Sequence, residues 1–489
     1  MTLTHIVRGL GVACALFALL AIPSPERPVP AVPEQARTFA WNRDSVWREL
    51  ESRFVQTRAG GCADSASTIR TLTASESLVD RFGSAPLSPD APALDTLEQS
   101  FFGAAPGVAA CGTLVPRYVA LHTRMRAMVK AQSKSWNVNT PTARDRLYRA
   151  LYGGRAAVEE VMLQQPTTVS RLAMSLTPDS VLPNMTPSAV SNGVTLHSGD
   201  ILVSRGGFPT SALIARGNDY PGNFSHIALV HVDSATHDIS VIEAHIEAGV
   251  AVSTAEKYLA DKKLRVMVLR LRGDLPALRR DPMLPHRAAS AMLNRARTEH
   301  IPYDFAMEYT DPARLFCSEV ASAAYGAQGL NLWMGISTIS RAGLRRWLSG
   351  FGVEHFATQE PSDLEYDPQI DIVAEWHDAS TLFNDHVDNA VTDVMLEGAD
   401  RGATLDFAWY SLPVARVMKA YSWARVQLGG SGPIPEGMDA GAALRNRAYG
   451  AEHAARAAEV RQLASVWSDG KGYPPAYWTL VDLARQVAK

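Results

Sequence analysis

The stretch Asn223-Phe224-Ser225-His226-Ile227-Ala228-Leu229-Val230-His231-Val232 decides how this chain is read. From His226 onward it is apolar on both faces, the pattern of a strand buried at the centre of a sheet. Ile239 to Ile246 and Arg265 to Leu271 read as two further strands, and Asp200-Ile201-Leu202-Val203-Ser204 as a short one closed by Gly206-Gly207. If residues 233–238 form a six-residue hairpin loop, His226 opposes His245 and Glu243 is its diagonal neighbour on the same face. A slip of one residue would turn Glu243 to the other face. Helices are expected at about Pro285 to His300, with Ala289, Met292, Leu293 and Ala296 on one side, and at Phe316 to Tyr325.

Outward from this block the texture changes. Residues 40–185 read as helical, with Val46, Trp47, Leu50 and Phe54 on one helix face and Val115, Val119, Thr123, Met125 and Val129 on another. Pro- and Ser-rich stretches near 84–92 and 177–192 interrupt them. Beyond about residue 366 the strand signal fades. Leu382, Phe383, Val387, Val391, Val394 and Met395 recur at helical spacing, and Pro413 to Leu428 and Ala442 to Trp467 read as further helices. The expected fold is α+β, an antiparallel sheet domain over 191–365 between helical regions at 32–190 and 366–489.

The 489 residues are 46% hydrophobic, and 47 Lys and Arg against 50 Asp and Glu leave a formal charge of −3. A chain without basic excess is a poor nucleic-acid binder. Residues 1–31 read as an export signal: Arg8 gives a positive start, Leu10 to Ile22 an apolar run, and Val29-Pro30-Ala31 small residues for cleavage. The alternative is an uncleaved anchor, so membrane association stays open. Export places the chain in the periplasm or cell envelope. There an oxidising setting favours a disulfide between Cys62 and Cys111 and leaves Cys317 alone; the alternative is unpaired thiols in a reducing setting.

A solitary thiol raises the question of chemistry. Cys317 opens a helix, where unpaired N–H groups favour thiolate and can hold an oxyanion. A thiolate needs an imidazole to take and return its proton, and His226 opens a buried strand where histidine is unusual. Glu243, in the otherwise apolar Val241-Ile242-Glu243-Ala244, is the candidate to orient that ring. Each residue alone also has a plain reading: a packed cysteine, a core histidine, a strand-edge carboxylate.

Five segments occur in order: Gly199-Asp200-Ile201-Leu202, Phe224-Ser225-His226-Ile227-Ala228-Leu229-Val230, Ile242-Glu243-Ala244, Pro302-Tyr303-Asp304-Phe305 and Phe316-Cys317-Ser318-Glu319. Over about residues 196–330 this set resembles the YaeF/YiiX family of permuted papain-like amidases, relatives of the NlpC-type cell-wall peptidases and of lecithin–retinol acyltransferase. In the permuted branch the order is His, acid, Cys, as here. The resemblance implies Cys317 as nucleophile, His226 as base, Glu243 as orienting acid, and Tyr303 as a residue lining the substrate site.

Other chemistries find less support. His231, His237 and His245 match no common zinc spacing, and His-Glu-x-x-His is absent, so no metal is called for. Gly-x-Ser-x-Gly is also absent, and Gly429-Gly430-Ser431-Gly432-Pro433 lacks the Lys-Ser/Thr of a phosphate loop. Asp200 reads as a turn residue and Glu319 as a helix-start carboxylate. The expectation is an exported thiol hydrolase that needs no cofactor and cleaves an amide in a peptidoglycan stem peptide or an N-acylated molecule. A lipid acyltransferase or thioesterase and a non-catalytic binding module are the alternatives.

Overall fold

A computed structural model describes residues 14–25, 28–31, 39, 45–83, 85–165, 174–176, 184–376, 378–428 and 430–488. The start of the expected signal (Arg8, and residues 10–13), part of the 177–192 break and the side chains of Val46 and Trp47 lie outside the described residues.

The chain is α+β. Its main sheet has seven antiparallel strands, ordered from one edge to the other Met174–Leu176, Ile370–Trp376, Lys263–Leu271, Ile201–Gly206, His226–Val232, Ile239–His245 and Gly249–Thr254. The period-2 geometry of a strand explains why His226–Val232 is apolar throughout. Ile227 and Leu229 face the large core shared with the helices, while Ala228, Val230 and Val232 face a second core under Val194, Leu196 and Tyr258. The hairpin register places Ala228 opposite Glu243 and Val232 opposite Ile239, the alignment a six-residue loop predicts.

Between residues 45 and 163 the described residues form helices Ser45–Gly60, Ser65–Phe82, Pro92–Ala110, Val115–Ser133, Pro141–Tyr148 and Gly154–Leu163. Leu50, Phe54, Val115, Val119, Met125 and Val129 enter the large core, and a disulfide joins Cys62 to Cys111 with the Cα atoms 4.8 Å apart. After the sheet come helices Ala379–Asp400, Leu412–Gln427, Ala440–Lys471 and Tyr477–Val487.

The sheet extends past residue 365, where the expected domain ends. Ile370–Trp376 pairs with Lys263–Leu271 inside the sheet. Its sequence hides this because Glu375 breaks the apolar run, yet Glu375 is buried against Arg126 and Arg155 from the N-terminal helices, with Arg155 Nε 2.6 Å away. Nearby, Arg265 on the sheet binds Glu159 of helix Gly154–Leu163 at 2.7 Å through Nη2, and it also binds Asp385 of helix Ala379–Asp400. His386 Nε2 adds a contact to Glu159 at 2.9 Å. Buried charges pair in this way because an unpaired one costs several kcal/mol. The three expected regions therefore meet along a buried ionic seam.

Two helices lie on the side of the sheet that carries the large core, Leu284–Thr298 and Cys317–Gly326. Gly199 locks them to the strand that follows it. Its φ of +97° suits only glycine, a Cβ there would come within 2.3 Å of Pro285, and its carbonyl accepts the Tyr325 hydroxyl. Asp200 is a buried structural residue: Arg270 donates to it at 2.7 and 2.8 Å, and the His197 N–H at 2.8 Å.

Candidate active site

His226 and Glu243 stand on adjacent strands, and the pleat brings them together on one face. His226 Nε2 donates to Glu243 Oε2 at 2.7 Å, which leaves Nδ1 as the nitrogen available for proton exchange. The other carboxylate oxygen is 3.3 Å from His245 Nε2 and accepts from Ser253 Oγ, also at 3.3 Å. Burial alone would raise the Glu243 carboxyl, but the bonds from the two imidazoles outweigh it and hold the group well below the usual carboxylate range. Burial lowers His226 below an ordinary imidazole despite Glu243, so its ring is neutral at pH 7. His245 is raised by its bond to Glu243.

Cys317 is the first residue of its helix and is 4% exposed. Its Sγ lies 3.9 Å from the Ser225 carbonyl and receives the Ile227 N–H, so the sulfur sits against the backbone on either side of His226. The helix start is anchored by Glu319, whose Oε2 accepts the Phe316 N–H at 2.8 Å. The start of the helix does pull the thiol toward thiolate through the Ser318 N–H, but burial outweighs it. Burial pushes the Cys317 thiol up to about 12, against the pull of the Ile227 N–H. The resting group is a protonated thiol beside a neutral imidazole, because desolvation of an anion exceeds the help of a few N–H dipoles.

Tyr303 is half-buried, with its ring centroid 4.9 Å from that of Phe305. Its phenol is pushed up by burial and then by the nearness of Cys317, so it stays protonated beside the sulfur. Two neighbours escaped the sequence reading, and a third, His245, was placed by it but not read as a site residue. Tyr258 donates to Ser204 Oγ at 2.8 Å under the same strands, and burial raises it. Glu360 is buried near Cys317, and burial, then Asp363, raise its carboxyl well above the ordinary value. Neither carries a sequence signal. His245 does: the hairpin register had placed it opposite His226.

The histidines weighed as metal ligands go to separate places. His231 Nε2 is 3.2 Å from Ser290 Oγ, His237 Nδ1 is 3.0 Å from the Ser188 carbonyl, and His245 is on Glu243. Among the described residues no group of three or more His, Cys, Asp or Glu side chains is arranged to hold a metal. A cavity of about 700 Å³ lies beside the Cys317 helix, lined by Glu319, Ser322, Ala323, Leu315, Trp333 and Gln359. Helical periodicity puts Glu319, Ser322 and Ala323 on the side of the helix turned away from Cys317.

An antiparallel sheet bearing His and Glu, followed in the chain by a helix that starts with Cys, is the arrangement that the resemblance to permuted papain-like amidases implies. Residues 195–374 match the family model described as permuted papain-like amidase enzyme, YaeF/YiiX, C92 family. The match supports a cysteine hydrolase at a general level. No curated protein and no solved structure matches the chain.

Proposed function

We propose that this protein is an exported thiol amidase that cleaves an amide bond through an acyl-enzyme on Cys317. The observation that carries the reading is the 2.7 Å His226–Glu243 bond on a strand whose backbone touches the Cys317 sulfur. Because the resting thiol is protonated, His226 takes its proton as the sulfur attacks the amide carbonyl carbon. The C–S bond forms, the carbonyl π electrons move to oxygen, and N–H groups at the helix start bind that oxyanion. His226, its charge matched by Glu243, returns the proton to the leaving nitrogen as the C–N bond breaks. Water deprotonated by His226 then hydrolyses the thioester, releasing a carboxylic acid and free thiol.

The Cys62–Cys111 disulfide supports an oxidising compartment, where peptidoglycan stem peptides and N-acylated molecules are the amides at hand. Tyr303 lines the approach to the sulfur. The test is mass spectrometry of the intact protein quenched with stem-peptide fragments, N-acyl amines and lipid esters. An acyl adduct on Cys317 with the amides, absent in Cys317→Ala and Cys317→Ser, is the expected result. Adducts from lipid esters alone would replace the amidase with an acyltransferase. Amide turnover that persists in Cys317→Ala would overturn the mechanism.

A further inference from the structure

The cavity of about 700 Å³ beside the Cys317 helix has the size of a small-molecule site, and the reaction above makes no use of it. Its walls are largely apolar, with Met292, Leu315, Ala323 and Trp333 among them, and Tyr309, 36% exposed, stands at its mouth. One acceptor in the wall is unsatisfied. The Gln359 side chain lines the cavity, the residue is only 7% exposed, and its Oε1 has no hydrogen-bond partner. A buried amide oxygen in this state is costly, and a guest that donates to it relieves the penalty.

The ionisable groups of the wall are engaged within the chain. Arg295 bonds Glu299 at 3.1 Å and the Pro312 carbonyl at 2.7 Å. Asp311 accepts the Ala313 N–H at 3.0 Å and pairs with Arg314 at 3.1 Å. Burial raises the Glu319 carboxyl to about 8, so it is mostly protonated at neutral pH. The space therefore suits an uncharged guest with an apolar body and one N–H or O–H donor. Glu319 also ties the space to the nucleophile. Its side chain forms part of the wall, while its Oε2 holds the Phe316 N–H at 2.8 Å, one residue before Cys317. The Ser318 N–H, on the other side, bonds the sulfur.

We propose that this cavity is an effector site. A small uncharged molecule with an apolar, ring-sized body and one hydrogen-bond donor binds on Gln359 and changes the reactivity of Cys317 through Glu319. A guest that shifts the Glu319 carboxyl shifts the turn it holds, and with it the N–H groups around the sulfur. The effect is on the thiol itself, so it does not depend on which bond the enzyme cleaves.

The probes are indole and 1-methylindole, which share a ring system and differ in the N–H donor. Calorimetric titration of the full chain should show indole binding about tenfold more tightly than 1-methylindole. Saturating indole should change the rate of iodoacetamide alkylation, followed on the Cys317 peptide by mass spectrometry, by about fivefold or more. Gln359→Leu should remove the preference for indole. Ala323→Phe puts a ring into the cavity and, in protein that melts like the parent, should abolish both indole binding and the rate response. This second variant separates the cavity from direct entry of indole at Cys317. Four results would overturn the proposal: no binding of indole at its solubility limit, equal affinity of the parent for both probes, binding without a change in alkylation rate, or a rate response that survives in Ala323→Phe.

Discussion

Among the described residues the rings of His226 and His386 are both held on buried carboxylates, yet their charge states are opposite. Glu243 holds His226 at 2.7 Å, and Glu159 holds His386 at 2.9 Å. His386 also lies 3.5 Å from Glu160. Burial works against its charge, but two carboxylates overcome it and raise the ring to about 9, so it is a fixed cation. His226 has one carboxylate, which it shares with His245, and burial wins. The first ring is neutral and a fifth exposed, and the second is charged and enclosed. An imidazole becomes a base or a structural ion according to how many carboxylates it has for the water it gives up.

Exchanging mutations between the two pairs tests that contrast most severely. His226→Ala should lower kcat/KM by about 10²–10⁴-fold, the usual contribution of a positioned base, with a nearly unchanged melting temperature. His386→Ala should do the reverse: a lower melting temperature, with activity per folded molecule retained. Measured side by side, loss of activity in both variants at equal folding would erase the distinction between base and structural ion.

The carboxylates sharpen it. Glu159→Gln leaves Arg265 and His386 buried with less countercharge and should cost about 3–5 kcal/mol in urea unfolding. Glu243→Gln lies at a partly open site and should cost less stability, while activity falls. Equal unfolding costs would show that the seam and the site are energetically alike.

Linkage gives the seam a pH signature. The folded pKa of His386, about 9, exceeds the unfolded value of about 6.5. Its contribution is therefore fully present below pH ~6.5 and is lost as pH rises through about 9, amounting to about 3 kcal/mol. Glu159 is held below its ordinary value by Arg265 and His386, against burial. Its contribution is present above the unfolded carboxylate pKa and is lost as pH falls below it. Unfolding free energies of the parent and His386→Gln should thus differ most at neutral and acidic pH above about 5 and converge toward pH 10. A constant difference up to pH 10 would mean that His386 is uncharged in the fold.

The contrast also explains what could be read from the sequence. The hairpin was legible because a six-residue loop and a doubly apolar strand fix the register that pairs Ala228 with Glu243. The helix starting at Cys317 was legible from its own local pattern. The seam was not, because Arg155 and Glu375, or Arg265 and Asp385, are separated by more than a hundred residues and look like ordinary surface charges one at a time. For the same reason the strand Ile370–Trp376 was passed over: of its two charged residues, Asp371 and Glu375, the second is buried only because Arg126 and Arg155 meet it. The helix N-terminus at Cys317 shows in sequence, whereas the depth of burial that pushes its thiol up does not.

The smallest expected effect concerns the second imidazole on Glu243. His245 is 41% exposed and positively biased by its bond to Glu243, and its charge lowers the pKa of His226. His245→Gln removes that charge and frees Glu243 to serve one ring, and both changes raise the His226 pKa. The acid limb of kcat/KM should therefore move upward by about half a unit, with little loss at its plateau. The alkaline side should stay flat past pH 9 in parent and variant, because the thiol is protonated up to about 12 and the base draws its proton only at attack. A limb that stays put or moves down would show that His245 holds Glu243 in place for His226. The shared carboxylate would then be a three-group relay, and the comparison with the two-carboxylate His386 site would have to be drawn between assemblies of equal size.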